Sequence, residues 1–176
     1  MLNPEFESAI RQDPQTVTPS GQKVQPLIDG LIIRHCPPLE DHRGELIEVF
    51  NPDWAFDDAP LVYAYQVVLR PRSVRAWVVH KHQEDRMFTS AGVMRWAFFD
   101  ARMDSSTQGQ LNVMTISERN RTLIRIPRGV FHGVQNVGTG DAIMFNLPTV
   151  PYNHANPDKY RLPVKNDLIP FDFNLP

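Results

Sequence analysis

The sequence is short of cysteine, of glycine and of long apolar runs, and each shortage narrows what the chain can be. A single cysteine, Cys36, among 176 residues excludes an internal disulfide and any zinc site built on several thiolates. That usage suits a reducing compartment. No apolar run approaches the roughly 20 residues that a membrane-spanning helix needs. The N-terminal "MLNPEFESAIRQ" lacks the basic-then-apolar order of a secretory signal. A cytoplasmic protein that stays out of the membrane is therefore expected. Eighteen Lys and Arg stand against twenty Asp and Glu, a formal charge of −2. With no basic block, no nucleic-acid partner is expected. Nine glycines are outnumbered by sixteen prolines. Proline interrupts helices and central strands, so many short strands are favoured.

What the chain does contain is a succession of short β-like runs. From Leu31 onward they read "LIIRHC", "ELIEVF", "LVYAYQVVL", "SVRAWVVH", "VMRWAFFDA", "LNVMTIS", "TLIRIP", "VFHGVQNV" and "AIMFNLP". Some alternate polar with apolar and others are continuous, as for strands covered on both faces. Turn signals such as "DHRG", "NPDW", "RPRS" and "VGTGD" separate them. Short strands at this spacing, without strong amphipathic helices between them, predict an all-β sandwich or jelly-roll barrel over residues 30–176. Residues 1–29 read as an arm with a short helix near 3–12. The Pro-, Asn- and Asp-rich tail after Pro151 reads as irregular structure laid across one mouth of the barrel. Trp77, Trp96, Phe98 and Phe99 read as core or interface. His35, His42 and His154 read as surface residues, and Asn136 as the brace of a turn.

Two stretches carry candidate chemistry. In "RAWVVHKHQEDRMFTSAG", residues 75–92, two imidazoles sit one residue apart. In "IPRGVFHGVQN", residues 126–136, a proline fixes the backbone, a glycine permits a tight turn and the following strand projects His132 to one side. If the first stretch stays a regular strand, His80, His82 and Glu84 share a face. With His132 from a facing strand they would make a His₃-carboxylate site for iron, manganese or zinc. The plainer alternative has one imidazole hydrogen-bonded inside and the other at the rim.

The spacing Pro127-x-Gly129-x-x-His132-x-x-x-Asn136 resembles the second motif of the cupins, a superfamily of small β-barrels. His80-x-His82 resembles the first motif more loosely, because Glu84 and Asp85 arrive earlier than the expected carboxylate. A closer resemblance spans roughly residues 30–172. "DHRGELIEVF", "VRAW…H…Q", "IPRGVFHG", "PTVPY" and "RLPVKND" are similar to the dTDP-4-dehydrorhamnose 3,5-epimerases, which are metal-free, dimeric cupin-fold enzymes acting on nucleotide-linked 4-keto sugars. Asp41, Arg43, Gly44, Glu48 and Phe50 match the opening motif of that family. The resemblance implies that Arg43 meets the pyrophosphate and Glu48 the base. Arginine's planar fork suits phosphate oxygens.

The same resemblance marks departures. The family reads Arg-Gly-Leu-His where this chain has Arg75-Ala76-Trp77-Val78, so Val78 stands at the catalytic histidine and His80 is the next imidazole on that face. The Gln-x-Lys that follows is Gln83-x-Asp85, which replaces a cation by an acid. Asn146, three residues before Thr149, stands at the family's proton-donating tyrosine, while Tyr152 is retained. The late aspartate that orients the histidine matches Asp167. Three readings follow. In the first, a homodimeric, cofactor-free epimerase or isomerase uses His80 as base and Asp167 as its partner. Arg75 or His132 then faces the developing oxyanion, Gln83 and Tyr152 contact the nucleotide-sugar substrate, and Asp85 opposes enolate formation. The second is a metal-dependent cupin enzyme using His80, His82, Glu84 and His132. The third is a non-catalytic cupin that keeps Arg43 and His132 for a ligand.

Overall fold

A computed structural model describes residues 2–21 and 24–173. The strands, in chain order, are β1 (Ile32–His35), β2 (Leu39–Asp41), β3 (Gly44–Leu46), β4 (Tyr65–Leu69), β5 (Val74–Val79) and β6 (Asp85–Ala91). They continue as β7 (Val93–Asp100), β8 (Leu111–Ser117), β9 (Thr122–Ile126), β10 (Val130–Asn136), β11 (Ala142–Asn146) and β12 (Tyr160–Arg161). Two five-stranded antiparallel sheets form, ordered β1-β9-β6-β11-β4 and β12-β5-β10-β7-β8, with β2 and β3 as a separate ribbon. This is the all-β jelly-roll architecture expected from the sequence. No helix among the described residues is long and apolar enough to cross a membrane.

The sheets face each other over Leu69, Met87, Met94, Trp96, Phe98 and Ile124, all buried. Their outer faces are also covered, which explains the continuous apolar runs. The outer face of the first sheet packs Phe88 and Leu123 beneath Phe50, Trp54 and Phe56. The outer face of the second packs Ala76, Trp77 and Ala97 beneath Ile169, Phe171 and Phe173 from the C-terminal tail. Gly133 lets that tail approach, since a Cβ there would lie 2.5 Å from Ala76 Cβ and 2.7 Å from the Phe173 ring. Each fully buried aromatic of this kind contributes roughly 2 kcal/mol.

The N-terminal segment begins with a six-residue helix, α1 (Pro4–Ala9), capped by Asn3, with no buried residue. The segment joins the barrel before residue 30. The Ile28 N–H donates to Asn112 Oδ1 (2.8 Å), and the Pro26 carbonyl accepts from the side chains of Gln110 and Asn112. Ile28 is buried in the inter-sheet core.

One central strand, β6, was not expected. The sequence "DRMFTSA" opens with two charges, yet β6 lies between β9 and β11 in the middle of its sheet. Conversely, the run at residues 45–50 forms a strand only at its start, in β3.

Candidate active site

Strand β5 ends at Val79, and the chain bends before β6 starts at Asp85. The Asp158 carboxylate fastens this bend by accepting the N–H groups of Lys81 (3.0 Å), His82 (2.7 Å) and Gln83 (2.9 Å). The Asp158 backbone carbonyl accepts from His80 Nδ1. The bend breaks the strand alternation and brings His80 alongside Asp85, with Nε2 to Oδ2 at 3.1 Å. From β10, His132 places its Nε2 3.4 Å from the same Oδ2. The two imidazole rings are 5.5 Å apart. Gln83 Nε2 donates to the other carboxylate oxygen, Oδ1, at 3.0 Å. His80, Gln83, Asp85 and His132 are all buried.

Charge follows from these bonds. Burial acts to raise the Asp85 pKa, but hydrogen bonds from His132 and His80 outweigh it and hold the carboxyl far below its ordinary range. Burial acts to lower the His80 pKa, but the hydrogen bond and charge of Asp85, helped by Asp158, hold it above the ordinary imidazole value. A carbonyl oxygen only accepts, so Nδ1 carries a fixed hydrogen. The titrating proton of His80 is therefore on Nε2, next to Asp85.

The cluster opens into a cleft of about 480 Å³, its open mouth included. Arg75, Lys159, Arg161 and Tyr65 share its walls with His80 and His132. Pairing of β12 with β5 (Arg161 opposite Val78) carries the two late cations into place. Burial, with the nearby Arg161, lowers the pKa of Lys159, while Asp85 acts in the opposite direction.

Of the expected site residues, His80, His132 and Arg75 reach the cleft. Others do not. Asp167 is exposed in the tail and is not the partner of His80; that partner is Asp85. His82 is exposed, and Glu84 is paired with Arg125 at 2.6 Å. The bend therefore removes both from the metal set proposed for a regular strand. Among the described residues, the groups close enough to share an ion are His80, Asp85 and His132, with ligand atoms within 4.8 Å of one another. Gln83 serves Asp85 instead of lining the cleft. Arg43 lies at the exposed turn of the β2–β3 ribbon, paired to Asp41, and Glu48 is exposed beside Trp54. Both lie outside the cleft of their own chain, as does Tyr152, whose ring rests edge-on against His154 at 4.8 Å.

Asp85, Asp158, Lys159, Arg161 and Tyr65 were not selected from the sequence. For Asp85 the signal was an acid followed by a run with strand character. For Lys159 and Arg161 it was alternating cations in "DKYR".

The sequence and the fold match known proteins. The dTDP-4-dehydrorhamnose 3,5-epimerase family matches residues 25–165. A probable low-salt glycan biosynthesis epimerase of Haloferax volcanii, Agl13, is 36% identical over 152 residues, covering 85% of this chain and 96% of that protein. The spore coat polysaccharide biosynthesis protein SpsL of Bacillus subtilis is 30% identical, covering 84% of this chain and 97% of that protein. A dTDP sugar isomerase from Desulfovibrio desulfuricans shares the fold, with a TM-score of 0.77 at 23% identity over 83% of this chain and 92% of that one. Motifs, fold and match over most of its length agree that this chain belongs to the dTDP-4-dehydrorhamnose 3,5-epimerase family.

Proposed function

We propose that the protein is an epimerase of nucleoside-diphosphate-linked 4-keto-6-deoxyhexoses, and that His80 moves the proton at the carbon beside the ketone. The observation that carries this reading is the setting of His80. Its Nδ1–H is tied to the Asp158 carbonyl, and its Nε2 stands at the cleft beside Asp85. Once the resting Nε2 proton has left, the hydrogen bond to Asp85 goes with it, and the Nε2 lone pair can take a proton from carbon. Asp85 then stabilises the imidazolium that forms. A hydrogen next to a ketone is acidic because the electron pair left behind spreads onto oxygen as an enolate. That oxygen needs a positive neighbour. Lys159, which makes no ion pair or side-chain hydrogen bond among the described residues, supplies a charge that the Asp at position 85 cannot. Arg75 and Arg161, likewise without ion pairs among the described residues, suit the diphosphate.

The test is exchange in heavy water. With a dTDP-4-keto-6-deoxyhexose, deuterium should enter carbon 3 or 5, and His80→Ala should slow that entry by about 10²–10⁴-fold, the usual worth of a general base. Normal exchange in the variant would remove His80 as base. A second reading, a divalent cation held by His80, Asp85 and His132, is favoured by the closeness of their ligand atoms. Elemental analysis of protein purified without a His-tag separates the two. One equivalent of iron, manganese or zinc, lost in His132→Ala, would replace the first reading by the second.

A further inference from the structure

Inverting a carbon takes two proton-transfer groups. One removes the hydrogen from one face of the sugar and the other returns a proton to the opposite face. His80 and His132 share a single carboxylate and come from the same side of the cleft, one at the end of β5 and the other on β10, neighbours in one sheet. The second group must come from the facing sheet. Strands β4 and β11 of that sheet pair with Asn146 directly opposite Tyr65. Asn146 Nδ2 donates to Tyr65 Oη at 2.9 Å. Tyr65 lines the cleft and is the one hydroxyl-bearing side chain among its lining residues.

We propose that Tyr65 is the second proton carrier, acting from the wall opposite His80, and that Asn146 is the positioning residue that aims its hydroxyl. This rests on the epimerase reading above. In the contact with Asn146 the phenol oxygen accepts, so its own hydrogen is left to point elsewhere. Burial, then the nearby Asp85 charge, raises the phenol pKa above its ordinary value, so the group holds its proton at neutral pH. In the forward step, His80 Nε2 takes the carbon-bound proton and the C–H electron pair becomes the enolate. The enolate carbon then takes the proton of Tyr65 Oη on its other face, leaving a phenolate. Solvent protonates the phenolate and accepts the proton held by His80, so the proton count closes.

The experiment uses dTDP-4-keto-6-deoxyglucose in heavy water, with deuterium entry and the inverted product followed separately by NMR. The wild-type protein should couple the two. Tyr65→Phe, which removes one oxygen, should keep deuterium entry within about threefold of wild type while inversion falls by about 100-fold or more. Asn146→Ala should lower inversion by about 10-fold, again with entry retained, and should add nothing in the Tyr65→Phe background. A defect that was only structural would lower entry and inversion together, leaving their ratio unchanged and overturning the proposal. Inversion by Tyr65→Phe within threefold of wild type would also overturn it. A wild-type protein that exchanges no deuterium from this sugar would remove the epimerase reading itself, and the inference with it.

Discussion

At the scale of single residues, Asp85 decides how the site titrates. It is buried, ionised and shared between two imidazoles, and it holds the His80 pKa up against the effect of burial. With neutral His80 as the base proposed above, activity should rise with pH through that raised value, so the ascending limb should lie above the ordinary histidine pKa of about 6.5. Asp85→Asn removes the charge, burial then prevails, and the limb should move to lower pH. A pH–rate profile of exchange measures the shift, and an unmoved limb would mean that the limb does not belong to His80. Stability has two windows. The contribution of protonated His80 is complete below about 6.5 and is lost as pH rises through its folded value. That of Asp85 is complete above about 3.9 and is lost as pH falls through its folded value. Removing the shared charge should also destabilise the fold by about 3 kcal/mol, as breaking a buried pair does. The sequence offered His80 and His132 as partners in one of its readings, because motif spacing reports strand and turn. It did not show their acid, because Asp85 reaches them through a bend fixed by Asp158, 73 residues later in the chain.

At the scale of elements, β6 shows why a charged start hid a central strand. Alternation and apolar content are the legible marks of a strand, and "DR" carries neither. Both charges are nevertheless neutralised inside. Asp85 has its imidazoles. Arg86 lies 3.2 Å from Asp57, donates to the Pro60 carbonyl at 3.0 Å and stacks over Phe50 at 4.9 Å. Burial pulls the Arg86 pKa down and Asp57 opposes it. The partners sit in the segment at residues 50–60, which covers the outer face of the sheet, so the pair ties cover to strand. Asp57→Ala should leave a buried cation unpaired and cost about 3–5 kcal/mol, whereas the double variant Asp57→Ala/Arg86→Met should lose clearly less, because an apolar side chain of similar size replaces the charge. Urea midpoints of the two variants compare the costs. A double variant less stable than the single one would show that Arg86 holds the cover without help from Asp57. Most other strands were legible because their runs alternate or are continuously apolar, but the three-residue β2 was not. Nor was the two-residue β12, since so short a strand has no period to detect.

At the scale of the whole molecule, the barrel and its covered faces followed from pattern and composition. The tail, expected across a mouth of the barrel, instead packs Ile169, Phe171 and Phe173 on the outer face of the second sheet. The place of Arg43 was not legible either. The family motif puts Arg43 and Glu48 on the ligand, yet in this chain the β2–β3 ribbon pairs with neither large sheet, is tied to the first only at the side-chain level by Glu45 and Arg121 (2.7 Å), and lies outside the cleft. Leu39 and Leu46 face each other across that ribbon and are 67% and 60% exposed. A two-stranded ribbon with paired, exposed leucines is marginal alone and gains stability when a second surface covers it. In the homodimer implied by the family resemblance, a ribbon docked on the neighbouring copy would bury both leucines and carry Arg43 toward the neighbour's diphosphate site. Light scattering should then give twice the 20.2 kDa chain mass. Leu39→Glu/Leu46→Glu should give the single-chain mass and weaken dTDP binding by about 10-fold, a loss of about 1.4 kcal/mol. Arg43→Ala should weaken dTDP to a similar degree while the protein stays dimeric, because it removes the phosphate contact and leaves the leucines in place. A double-leucine variant that remains a dimer with unchanged dTDP affinity would exclude the ribbon as the interface. The motif match at Arg43 would then reflect only the turn between two strands.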